Sequence, residues 1–358
     1  WGVDVDAAIF RDFVRRYVEV HARLASPLVL YGESYGGPRT AVLARLLQLA
    51  GVPPDGLVLQ SPALDYNNNC GVSGTPSISC EGYLPSYAAT GAWHLRTTPV
   101  PTDLDVWLAD ARGFTTDTYA PAVNAWLTAG TPAPDLWDPL AAWTGLPATE
   151  WQARLNMGPT TYRERLLPGQ LLGRYDARMA APVGSELARE GDPSNTWITS
   201  SFAAAIDPYL AGELKYRNAS TYVLFSTAIQ HWDFRHAGRA LPDTVPDLAA
   251  ALAADPALRV MAVTGVQDLA RPFPTTEQDL ARLGNDPRVT VRNYPGGHMS
   301  FLDDGTRPRQ RADLQAFYRD VLAARPQRAV RRPLAAAPPV RGRDVAGDVP
   351  TPGSMPLV

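Results

Sequence analysis

Leu28-Val29-Leu30-Tyr31-Gly32-Glu33-Ser34-Tyr35-Gly36-Gly37 decides how this chain is read. A short β-rich apolar run passes straight into Gly-x-Ser-x-Gly, and residues 38–49, opened by Pro38, are rich in helix formers. Strand, sharp turn and helix in that order put Ser34 at the carboxyl end of a strand, on a turn tight enough to strain its backbone. That arrangement exposes a serine hydroxyl as a nucleophile. Gly32 and Gly36 are expected to leave out β-carbons that would strike the strand before the turn and the helix after it. Taken alone, the pentapeptide also fits a glycine-rich strand-to-helix turn with no chemistry.

Hydrolases built on such a turn carry their acid after a later strand and their histidine in a loop after the last one. Of the five histidines, His298 stands in a loop of that kind. Residues 289–294 read as a strand, and Pro295-Gly296-Gly297-His298 turns directly after it. Asp313 to Leu322 then places Leu314, Phe317, Val321 and Leu322 on one face of a closing helix. Upstream, Arg259 to Thr264 reads as a buried parallel strand running into Gly265-Val266-Gln267-Asp268. Asp268 therefore falls at the same edge of the sheet as Ser34 and is the candidate acid. Its structural alternative is an aspartate capping the helix that follows a βα loop. Asp279 lies in a polar helical stretch and reads as solvated.

The other histidines have structural readings. His21 belongs to a helix expected from about Ala7 to Leu24, beside an apolar stripe of Phe10, Phe13, Tyr17 and Leu24 that should pack inward. His94 follows Trp93 in a helical insert. His231 and His236 flank Trp232-Asp233-Phe234-Arg235 without the spacing of a zinc helix or any cysteine–histidine pattern. No metal and no cofactor is expected, and Asp233 is a candidate for the cleft wall.

Four segments together resemble the serine carboxypeptidases, the carboxypeptidase-Y-like α/β-hydrolases, and among them the bacterial branch. They are Gly32-Glu33-Ser34-Tyr35-Gly36 with Arg39 shortly after; Leu84-Pro85-Ser86-Tyr87-Ala88; Leu172-Gly173-Arg174-Tyr175-Asp176-Ala177-Arg178; and Asp268-Leu269-Ala270-Arg271-Pro272-Phe273 followed by Tyr294-Pro295-Gly296-Gly297-His298-Met299. The resemblance covers residues 2 to 322 and implies an α/β-hydrolase fold with a mostly parallel sheet and an inserted, mainly helical cap. It implies release of C-terminal amino acids from peptides through an acyl-enzyme on Ser34, favouring acidic pH, with His298 as base and Asp268 orienting it.

The resemblance also implies that Glu33 helps bind the free carboxylate of a peptide substrate. Two carboxylates share a hydrogen bond only when one is protonated, so such binding weakens as pH rises. Glu33 could instead serve the start of the following helix, where negative charge is favourable. A lipase or esterase would share the triad but has no reason to share Glu33. An esterase or acyltransferase with the same triad, and an inactive fragment, are the alternative functions.

One departure from the family stands out. Its members begin with a long segment that supplies early strands and an Asn-Gly-Gly-Pro-Gly loop, which gives one oxyanion-hole amide and a contact to the substrate carboxylate. Gly-Gly-Pro-Gly occurs nowhere in this chain. Of the oxyanion hole only the backbone amide of Tyr35 can be assigned. The strand at residues 28–31 would then be an open apolar edge. The chain is therefore expected to be part of a longer product, with the missing N-terminal segment as a partner beside the peptide substrate.

The 358 residues, 45% of them hydrophobic, suffice for one large core plus an insert, and a net charge of −3 gives no sign of nucleic-acid binding. No apolar run is long enough to span a bilayer. The division expected is hydrolase core over 1–64, helical cap over 65–215, and second core part over 216–325, with a strand near Ser220 to Phe225. From 326 to 358 a Pro- and Arg-rich stretch without an apolar face reads as a disordered tail. Tyr87, Trp93, Trp107 and Tyr119 are either pocket walls or cap core. Cys70 and Cys80 sit in a turn-rich loop and are expected to form a disulfide, which implies an oxidising compartment, secreted or periplasmic; two free thiols are the alternative.

Overall fold

A computed structural model of the protein describes residues 1–73, 78–224 and 226–325; the tail expected over 326–358 lies outside the described residues. Six strands occur among them: β1 (Val29–Glu33), β2 (Gly56–Gln60), β3 (Gln170–Leu172), β4 (Ala180–Pro182), β5 (Arg259–Gly265) and β6 (Val289–Tyr294). The main sheet is wholly parallel with order β1-β2-β5-β6, and β3 and β4 form a separate antiparallel hairpin.

Alternation along the central strands builds two cores. Leu57, Leu59, Val260 and Ala262 face Ala41 and Ala44 of the Gly36–Leu49 helix and Leu248 and Ala251 of the Val245–Ala254 helix. Val58, Met261 and Val263 point the other way, onto Phe317 and Val321 of the Thr306–Ala324 helix. A sheet covered on both faces needs apolar residues at every position, which these strands supply. Because all four strands run the same way, the turns after β1, β2, β5 and β6 meet on one rim.

Between β2 and β5 the chain is largely helical, as expected, with the β3–β4 hairpin as an addition. This part has its own aromatic core of Tyr83, Tyr87, Tyr119, Trp151 and Tyr162. Tyr87 and Tyr162 stack at 4.0 Å. Their phenols stay satisfied in the dry interior because Tyr87 donates to the Met157 carbonyl at 3.0 Å and Tyr162 to those of Tyr87 and Thr144. Cys70 and Cys80 form a disulfide, their Cα atoms 5.4 Å apart. Among the described residues no helix is long and apolar enough to cross a membrane.

Four expectations need correction. The first helix runs Val3–Val20 and turns its small residues inward, burying Val3, Ala7, Ala8 and Val18 while Phe13 is 62% exposed and Phe10 and Tyr17 also face solvent. Close approach to the Gly36–Leu49 helix leaves room only for the small side. Leu322 is likewise exposed, on the outer face of the closing helix. Residues 220–224 form no strand, 220–223 being exposed and Leu224 half-buried, while Phe225 is outside the described residues. Asp279 is fully buried, because Arg271 reaches it in the interior at 3.2 Å.

Candidate active site

Ser34 adopts φ of +56°, the left-handed region that costs a residue with a β-carbon roughly 1–2 kcal/mol. Its backbone is pinned on both sides: the N–H donates to the Gln60 carbonyl at 2.9 Å, and the carbonyl accepts from Gly37 N–H at 2.9 Å and Ala63 N–H at 3.2 Å. The glycine requirement differs from the expected one. A β-carbon on Gly32 would fall on the Gly36 carbonyl and Thr40 Oγ1, and one on Gly37 would lie 2.6 Å from Pro62 Cβ, but one on Gly36 would meet nothing. Gly37, not Gly36, is the second sterically required glycine: the helix crowds Gly32, and the loop after β2 crowds Gly37.

Asp268 and His298 meet in the interior. His298 Nδ1 lies 2.7 Å from Asp268 Oδ2, with both side chains almost completely buried. Asp268 Oδ1 accepts the N–H groups of Ala270 and Arg271 at 2.8 and 2.9 Å, so the capping and the histidine-orienting roles fall to the two oxygens of one carboxylate. The other ring nitrogen, Nε2, is buried and makes no hydrogen bond among the described residues. A buried nitrogen left unpaired is costly, and such groups gather where a proton has to be exchanged.

Residues 173–178 bind both loops through backbone contacts. Leu269 N–H donates to the Arg174 carbonyl, Ala177 N–H to that of Gln267, and His298 N–H to that of Tyr175 at 2.6 Å. His94 joins from below, Nε2 lying 2.8 Å from the Ala177 carbonyl. A β-carbon on Gly297 would collide with the Tyr175 carbonyl and come 2.5 Å from Asp176 Cβ. The Tyr175 ring lies edge-on to His298, centroids 5.0 Å apart.

Ser34 and His298 line one cavity of about 410 Å³ together with Glu33, Tyr35, Gly36 and Arg39. Its far wall is apolar and aromatic: Tyr66, Tyr175, Ile198, Ile229, Trp232, Phe234 and Met299. None of the four aromatic residues weighed as pocket walls contributes. Tyr87, Trp107 and Tyr119 are buried in the helical part and Trp93 is exposed. Trp232 and Phe234 were signalled only by the unusual Trp-Asp-Phe-Arg run. Asp233 is not part of the wall; it binds Arg235 and pairs in parallel with Gly2, its carbonyl accepting Val3 N–H.

Burial raises the Glu33 carboxyl above its ordinary value, His298 opposing and Asp268 reinforcing the shift. Among the described residues Glu33 makes no side-chain hydrogen bond and does not cap the Gly36–Leu49 helix. For His298, burial pulls the imidazole down, but contact with Asp268 outweighs it and Glu33 adds to the rise, so the ring stays above the ordinary histidine value. Arg39 is held by Asp6 of the first helix at 2.6 and 3.2 Å and lies over the rings of Phe10 and Tyr35. Tyr35 stands immediately before the Gly36–Leu49 helix, where backbone N–H groups have no intrahelical acceptor. Among the described residues no group of three His, Cys, Asp or Glu could hold a metal ion. No family model, curated protein or solved structure matches this chain.

Proposed function

We propose that this chain is a serine-type carboxypeptidase built on an α/β-hydrolase plan. Ser34 Oγ attacks the last peptide carbonyl of the substrate while His298 Nε2 takes its proton. The protonated imidazole, held by Asp268, returns that proton to the leaving amino acid, and water then cleaves the acyl-enzyme. The Tyr35 N–H donates to the developing oxyanion. Protonated Glu33 donates to the terminal carboxylate of the peptide.

The observation that carries this reading is the content of one cavity: a strained serine, a histidine bound to a buried aspartate with its second nitrogen unpaired, and a carboxyl raised by burial beside them. The carboxyl favours a peptidase that reads a chain end over an esterase, whose substrates present no such anion. The disulfide supports action in an oxidising, extracytoplasmic compartment.

The two titrations have opposite signs. Substrate binding is strongest below the raised Glu33 value and fades as pH climbs through it. Turnover needs neutral imidazole and fades as pH drops through the raised His298 value. A narrow maximum of kcat/KM between them is expected. The direct test is labelling by a fluorophosphonate: Ser34 should be modified, Ser34→Ala should abolish the label, and His298→Ala should slow it about ten-thousandfold. A folded chain that takes up no label, or is labelled elsewhere, would refute the proposal.

A further inference from the structure

One buried residue connects the two halves of the candidate site, through its backbone on the Ser34 side and its amide side chain on the His298 side. Gln60 ends β2 after Leu57-Val58-Leu59 and is wholly buried. Its backbone carbonyl accepts the Ser34 N–H at 2.9 Å, and its side-chain Nε2 donates to the His298 carbonyl, also at 2.9 Å. That carbonyl accepts in addition from Ser61 Oγ at 2.7 Å. The orientation of the amide is forced, because a carbonyl can only accept and so must face the NH2 group. Gln60 Oε1 in turn accepts from Gln310 Nε2 at 2.9 Å and from the Tyr31 hydroxyl at 3.3 Å. Ser300 Oγ donates to Gln310 Oε1 at 2.9 Å and lies 3.3 Å from Gln60 Nε2.

A buried primary amide is costly unless its donors and acceptor are all met, and an apolar residue would fill this strand position without that demand. The partners here belong to β1, the loop after β6 and the closing helix. Gln60 thus holds the backbone that carries the nucleophile and the backbone that carries the imidazole at a set separation. We propose that Gln60 is a positioning residue for the acyl transfer proposed above, acting through His298 to fix the approach of Nε2 to Ser34 Oγ. The inference rests on that reading of function.

Gln60→Met keeps the length and the backbone bond to Ser34 but removes the side-chain hydrogen bonds; Gln60→Glu presents a carboxylate to the His298 carbonyl and regains a donor only on protonation. In the whole chain Gln60→Met should slow fluorophosphonate labelling of Ser34 about a hundredfold, the penalty for a misplacement of roughly 1 Å, with little change in peptide affinity. In a His298→Ala background the same change should cost nothing further, because its effect passes through the imidazole. The labelling rate of Gln60→Glu relative to the parent chain should rise as pH falls. An undiminished rate in Gln60→Met, or an equal loss with and without His298, would overturn the inference.

Imidazole NMR separates this outcome from failure of the functional reading. A folded parent chain that takes no label refutes the peptidase. In that case Gln60→Met, or Gln60→Glu if the first does not fold, should still displace the His298 ring resonances while leaving those of His236 in place. Unmoved His298 resonances would refute the role of Gln60.

Discussion

Gly36 and Gly37 look equivalent on paper, yet the space around them predicts opposite outcomes. Gly37→Ala has to push Pro62 aside and should lower the melting temperature or prevent folding; Gly36→Ala meets open space and should leave the melting temperature equal or higher, since alanine favours a helix by about 1 kcal/mol over glycine. Thermal denaturation of the two variants checks this directly. Under the proposed function, Glu33→Gln makes the carboxylate-binding group a permanent donor and removes an anion beside His298. Peptide KM should lose its pH dependence, and the acid limb of kcat should move to lower pH, because Glu33 helps raise the imidazole. Steady-state profiles on peptide substrates would show both changes. At this scale the strained turn at Ser34 and the meeting of Asp268 with His298 were legible because strand ends and glycine-rich turns punctuate the sequence at those positions. Gln60 was not, since its significance lies in partners as much as 250 positions away.

Elements hold the loops in place through buried charge. Arg271 donates its backbone N–H to Asp268, while its guanidinium reaches the Pro62 and Asp65 carbonyls and the carboxylate of Asp279 on the Phe273–Ala281 helix. Burial raises Asp279 to about 6 despite this cation. Asp279→Asn leaves Arg271 charged in the interior and should cost about 3–5 kcal/mol in chemical denaturation, the usual result of breaking a buried pair from one side. Helical periodicity indicates which side chains share a face, not whether anything covers that face. That is why Phe10, Phe13 and Tyr17 were expected inward while the structure turns Val3, Ala7 and Val18 there. Asp279 was misread for a related reason: a charged residue is expected at the surface unless its partner is known, and Arg271 became its partner only through the turn between them.

Across the whole molecule, His236 ties three distant stretches together. Its ring nitrogens lie 2.6 Å from Asp4 on the first helix and 2.9 Å from Asp247 on the Val245–Ala254 helix, and its own segment carries Trp232 and Phe234 into the cavity wall. The hydrogen bond to Asp247 raises the imidazole to about 9, against the pull of burial and with help from Asp4. A folded value above the unfolded one means that this support is complete below about pH 6.5 and is lost as pH rises through 9. The melting temperature of His236→Gln should therefore fall furthest below that of the parent chain near pH 6, with the gap closing above pH 9. The parallel sheet and helical insert were legible from strand spacing, whereas the cavity wall was not, because its aromatic residues come from irregular segments with no period to mark them.

Gln310 completes the polar net beneath the imidazole, and it stands in the last described helix. A ribosome making this chain therefore emits Ser34 well before Gln310. Until that helix has emerged, Gln60 Oε1 lacks the donor that Gln310 provides, so the amide that holds the His298 carbonyl gains its last support only after the serine turn, the four strands and both loops have been made.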